Sequence, residues 1–100
     1  MPPDPPIRTR STRVFKATPT FWKAFMKLDR VEQDLARQKF LIFREDPFDA
    51  SLGTHRINHL SAIYKKTVYS ACLAGDLRAV FYVEGNTVVS VGIGNHAIYG

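Results

Sequence analysis

The sequence predicts an α+β domain, an antiparallel sheet with a helical hairpin packed on one face. Three observations predict it. Two segments of helical periodicity, 19–28 and 30–45, follow each other with almost no loop between them. Three segments in the C-terminal half carry strand signals and are joined by Gly75-Asp76 and Gly85-Asn86, dipeptides suited to tight hairpin turns. A short β-branched and aromatic stretch, Arg13-Val14-Phe15-Lys16, precedes the helices. The order is β-α-α-β-β-β.

Taken in order, residues 1–12 are rich in Pro, Arg and Thr without periodicity. They read as a mobile basic tail, leaving 13–100 as one domain. Thr18-Pro19 reads as an N-cap followed by proline at the first helical position. Phe21, Trp22, Phe25 and Leu28 mark one helical face. Asp29-Arg30-Val31-Glu32 has the spacing of a capping box, so a second helix starts there. Its apolar stripe reads Val31, Leu35, Ile42, widened by Phe40 and Phe43, and Pro47 ends it. Residues 47–62 read as a connection. Val68 to Ala74 is the first of the three later strands. The second alternates Leu77, Ala79, Phe81, Val83 against Arg78, Val80, Tyr82, Glu84. The third places Val89, Val91 and Ile93 on one face. Tight turns between consecutive strands give an antiparallel meander.

Composition narrows the function. The chain of 100 residues is 45% hydrophobic and carries a net charge of +5, which suits a polyanionic partner such as nucleic acid, or an acidic protein. No apolar run approaches the ~18 residues of a membrane span, and no secretory signal is expected at the N-terminus. Cys72 is the single cysteine, which favours a reducing, cytoplasmic home. Phosphate-loop, dinucleotide, CxxC and HExxH patterns are missing from the sequence, so neither a cofactor nor a metal is expected. His55 and His59 are four apart and would share a face if helical. They read as surface histidines of the connection more readily than as metal ligands.

Three groups of residues can carry chemistry. Arg78 follows the Gly75-Asp76 turn on the strand face opposite the apolar one. A guanidinium there can clamp a phosphate bidentately, or pair with Asp76 or Glu84. Lys65-Lys66 can add phosphate contacts, or keep an edge strand soluble. The chain ends on Ile93-Gly94-Asn95-His96-Ala97-Ile98-Tyr99-Gly100. In a meander the end of the third strand lies by the turn that starts the second, bringing His96 and Tyr99 towards Arg78. An imidazole can move a proton near neutral pH, a guanidinium can stabilise a phosphorane, and a ring can stack on a base. The other reading is that His96 and Tyr99 pin the terminus onto the sheet.

The run from Asp46-Pro47 through Leu52, His55, Tyr69, Gly75-Asp76-Leu77-Arg78 and Phe81-Tyr82 to Val91-Gly92-Ile93-Gly94-Asn95-His96-Ala97-Ile98-Tyr99 resembles the RelE/ParE toxin superfamily. The resemblance spans residues 13–99 and implies the RelE-like β-α-α-β-β-β fold. It implies the toxin of a type II toxin–antitoxin pair, with a cognate antitoxin as partner. It also implies a ribosome-dependent mRNA endonuclease that needs no metal and uses the 2′-hydroxyl as nucleophile. By position, Arg78 matches the arginine on the scissile phosphate, His96 the general acid or base, and Tyr99 the C-terminal aromatic. Lys65, Lys66, His55 and His59 fall among further basic positions. The basic residues of the helices, Lys23, Lys27, Arg30, Arg37 and Lys39, would lie on ribosomal RNA. Leu73, Leu77 and Arg78 stand where YafQ-like members carry a histidine and an acidic–aromatic pair. The alternative within the same fold is a ParE-like gyrase poison or a non-toxic binding protein.

Overall fold

The computed structural model describes residues 13–95; the tail read at 1–12 lies outside them. The described chain runs β1 (Val14–Ala17), α1 (Pro19–Met26), α2 (Arg30–Glu45), a 3-10 turn (Ala50–Leu52), β2 (His55–Arg56), α3 (Asn58–Tyr64), β3 (Val68–Ala74), β4 (Leu77–Glu84) and β5 (Thr87–Gly94).

The hairpin forms where its caps are. The Thr18 hydroxyl accepts from the Phe21 N–H at 3.2 Å, with Pro19 opening α1. Asp29 accepts from the Glu32 N–H at 2.8 Å, and Glu32 accepts from the Asp29 N–H at 3.2 Å. This reciprocal pair fixes the break between the helices. Gln33 Nε2 closes the corner by donating to the carbonyls of Phe25 and Leu28 at the end of α1, where the Phe25 carbonyl has only the tightened bond from the Leu28 N–H. Asp29→Ala is expected to cost about 1 kcal/mol of stability, read as a lower midpoint with unchanged slope in urea.

The sheet order is β1-β5-β4-β3-β2. The meander β3-β4-β5 is antiparallel, as its turns predict. β1 adds to β5 in parallel, so the sheet is mixed. The chain leaves β1 through the helical hairpin and arrives at β5 by way of β2, α3, β3 and β4, a connection long enough for the crossover that parallel pairing requires.

The hairpin covers one sheet face. Phe21, Phe25 and Ala36 meet Leu73, Leu77, Ala79 and Ile93, while Phe43 meets Leu52, Ala71, Phe81 and Val88. Phe43 is 1% exposed and stands edge-on to Phe81, Phe40 and Phe15 at centroid distances of 4.9, 5.4 and 5.7 Å. α3 covers part of the other face, where Leu60 sits on Val68, Val80 and Val91.

Three expectations are corrected. The buried stripe of α2 is Ala36-Phe40-Phe43, about a third of a turn from the Val31-Leu35-Ile42 line; Val31 is 67% exposed. The aromatic rings, carrying more apolar area, decide which side faces the sheet. Val89 and Val91 do share a face, but Ile93 lies with the hairpin. Val80 pairs with Gly92 and Phe81 with Ser90, so Val91 is the extra residue of a β-bulge that reverses the alternation. The connection 47–62 holds the 3-10 turn, β2 and α3. α3 has no side-chain cap at its N-terminus. It is held instead by Ser61, whose hydroxyl donates to the Ile57 carbonyl and accepts from the Val68 N–H, both at 2.8 Å.

Candidate functional site

Arg78 is the second residue of β4, opposite Cys72 on β3 and Gly94 on β5. Strand alternation places its side chain with Val80 and Tyr82, on the face away from the hairpin. The guanidinium bends back over the β3–β4 turn. Its Nη1 donates to the Gly75 carbonyl at 2.8 Å and to Cys72 Sγ at 3.1 Å. Gly75 has φ +53°, the left-handed conformation a two-residue hairpin turn asks of glycine. A longer contact to the Leu77 carbonyl also uses Nη1. Among the described residues, Nη2 and Nε thus stay available to a ligand, on a fork whose plane is already anchored. Anchoring of this kind suits bidentate phosphate recognition.

Glu84, one of the two carboxylates weighed as a partner for Arg78, is held by Lys66 in a close ion pair. Lys66 Nζ also lies 5.5 Å from the centre of the Tyr82 ring, with Tyr64 beside it at 6.3 Å. The hydrogen bond to Glu84, then its charge, raise the Lys66 pKa above that of an ordinary lysine. A raised lysine pKa means that this pair adds stability below the ordinary value and loses it as pH climbs through the folded one. In Glu84→Gln the Lys66 titration, followed by NMR, is expected to fall back towards the ordinary lysine value.

Gly94 ends β5, and the described chain stops one residue later at Asn95. The end of the third meander strand therefore does lie beside Arg78. His96 and Tyr99 lie outside the described residues. Lys65 and Lys66 follow α3 and share a recess with Arg56. His55 is in β2, with Nδ1 3.1 Å from the Gly53 carbonyl, and His59 is in α3, so the two do not share a helix face. Among the described residues, His, Cys, Asp and Glu form no cluster of three suited to a metal. Lys23, Lys27 and Arg30 are exposed on the hairpin, across the sheet from Arg78. Arg30 also faces Asp34 at 3.8 Å. α1, which carries Lys23 and is capped by Lys27, packs through Phe21 and Phe25 on Leu77 and Ile93, so these cations stand at the Arg78 end of the sheet but on its opposite face.

Sequence reasoning missed Cys72 as the neighbour of Arg78. Ala74 pairs with Leu77, but Cys72 rather than Leu73 faces Arg78, because the register shifts between them. Turn length alone would have paired Arg78 with Leu73. Arg56 was also missed, since β2 is too short to show a period.

No protein-family model matches the sequence, and no curated protein matches it. Solved structures do. The RelE of Pyrococcus horikoshii, solved as a RelE–RelB complex, superposes with a TM-score of 0.64 at 15% identity, covering 84% of this chain and 94% of that one. Escherichia coli YafQ gives 0.64 at 16% identity, over 86% and 96%. A metal-bound toxin from Helicobacter pylori gives 0.58 at 19% identity, over 86% and 97%. YafQ is also solved in a DinJ–YafQ complex. Among the described residues no helix is long and apolar enough to cross a membrane. The helical hairpin on one sheet face, the antiparallel β3-β4-β5 meander and these superpositions agree: this chain has the RelE-like toxin fold.

Proposed function

We propose that this protein is the toxin of a type II toxin–antitoxin pair and a ribosome-dependent mRNA endonuclease. The observation that carries the reading is Arg78, its guanidinium anchored through Nη1 and cross-strand from Gly94, two residues before His96. The 2′-hydroxyl of one nucleotide attacks the neighbouring phosphorus. His96 moves a proton, taken from that hydroxyl or given to the departing 5′-oxygen. Arg78 stabilises the charge that builds on the phosphorane, and Tyr99 stacks on a base or assists the proton. The products are a 2′,3′-cyclic phosphate, or the 3′-phosphate formed by its hydrolysis, and a 5′-hydroxyl. One general acid–base group supplies ~10²–10⁴-fold, so the ribosome must contribute positioning. Lys65, Lys66, His55 and His59, with Lys23, Lys27 and Arg30 on the hairpin, contribute contacts to mRNA and ribosomal RNA.

The RelE–RelB and DinJ–YafQ complexes support a protein partner for this chain, its cognate antitoxin. The net charge of +5 favours an acidic segment that folds on binding. The cytoplasm is the expected site of action. End-group analysis of the cut message tests the chemistry. A cyclic or 3′-phosphate end, and no cut when the attacking ribose is 2′-deoxy, is expected; a 3′-hydroxyl end would refute it. One observation favours the second reading, a gyrase poison or a non-toxic binder. The bonds from Nη1 to Gly75 and Cys72 also serve a purely structural arginine at the turn.

A further inference from the structure

A second cationic recess, about 460 Å³ in volume, lies where α3 hands over to β3. Arg56, Asn58, Lys65, Lys66 and Thr67 line it with Ser61. The Ser61 hydroxyl is already committed to Ile57 and Val68, and Lys66 is committed to Glu84. The side chains of Arg56, Asn58, Lys65 and Thr67 are exposed, and none forms a hydrogen bond or ion pair with another described residue. Two uncommitted cations, Arg56 and Lys65, and the polar side chains of Asn58 and Thr67 thus line one concave surface with no carboxylate among them.

The backbone supplies a second, independent sign. Lys65 caps α3 at φ +57° and is the one non-glycine residue with positive φ among those described. Glycine is the usual occupant of such a cap, and Gly53 fills the equivalent place after the 3-10 turn. A lysine here carries a conformational cost that no described contact of its side chain offsets. Strained positions of this kind gather at binding sites.

We propose that this recess binds a backbone phosphate of single-stranded RNA. Arg56 and Lys65 close on the phosphate, and Lys66, fixed by Glu84, forms the third wall. The proposal deepens the RNA-binding part of the reading above and rests on it, though not on cleavage. Lys66 lies over Tyr82, four residues along β4 from Arg78 and on the same face. That is about 13 Å, a span of a few nucleotides. One strand passing outside Leu60, which sits on Val80 between the two ends, can touch both, with Tyr82 and Tyr64 at the Lys66 end to stack on a base.

The test is fluorescence anisotropy of the full chain with a short RNA in which every ribose is 2′-O-methylated and cannot be cut, repeated across salt. Lys65→Gly is expected to raise the melting temperature by about 4–8 °C. It should also weaken RNA binding roughly fivefold and flatten the log–log salt slope by ~0.7. Arg56→Ala is expected to weaken RNA binding likewise with no change in melting. RNA affinity and salt slope unchanged in both variants would overturn the proposal, and so would a lower melting temperature in Lys65→Gly. A loss of poly-glutamate binding with RNA binding intact would also overturn it, in favour of an acidic protein. If wild type fails to cut mRNA in cells yet these losses appear, the nuclease reading falls and the recess stands. If it cuts and the losses do not appear, the recess alone falls.

Discussion

Arg78→Ala is expected to slow RNA cleavage by about 10²–10³-fold, the usual loss when a donor to developing transition-state charge is removed. The fold should survive. The side chain is half-buried on the face away from the main core, and its bond to the Gly75 carbonyl at 2.8 Å contributes on the order of 1 kcal/mol. Arg78→Lys separates charge from geometry. It keeps the cation but loses the planar fork that Nη1 anchors and Nη2 and Nε present, so most of the loss should persist. Single-turnover cleavage beside a thermal melt checks both variants. Cleavage at the wild-type rate in Arg78→Ala would make this arginine a brace for the turn.

Phe43→Ala is expected to be the most destabilising single truncation. The ring is 1% exposed and stands edge-on to Phe15, Phe40 and Phe81. Removing it costs about 3–5 kcal/mol through lost transfer energy and the cavity left behind. Against the ~5–15 kcal/mol of an ordinary domain, that removes from about a fifth of the stability to all of it. Urea denaturation reads the effect directly. A loss below about 1 kcal/mol would mean that the hairpin does not seat on the sheet through this ring. Activity would fall as well, but through the unfolded fraction, which separates this variant from Arg78→Ala.

What the sequence made legible was local. The capping box at Asp29, the proline after Thr18 and the glycines of the two hairpin turns each act within a few residues, and each stands where local chemistry puts it. The phase of β4 is equally local, so strand alternation alone assigns Arg78 to the face opposite Leu77 and Ala79. The features that were misread depend on distant partners. Val91 has no mark of a bulge in its own sequence; the bulge exists because Phe81 pairs with Ser90 while Val80 pairs with Gly92. Either side of α2 offered apolar residues, and it is the rings of Phe40 and Phe43, fitted to the sheet beneath, that select the side with Ala36. α3 is held by Ser61 bonding forward to Val68, a tertiary contact that stands in for a missing cap. The candidate site divides the same way. Arg78 and the approach of the β5 end to it follow from strand order. The Cys72 contact needs the register shift, and the recess around Lys65 needs α3.

The most direct test of the central claim is primer extension on a reporter message after induced expression, with wild type beside His96→Ala and Arg78→Ala. Discrete cuts within translated codons are expected for wild type, and none for either variant while both proteins stay folded. Growth arrest without cuts, or cuts that survive His96→Ala, would contradict it.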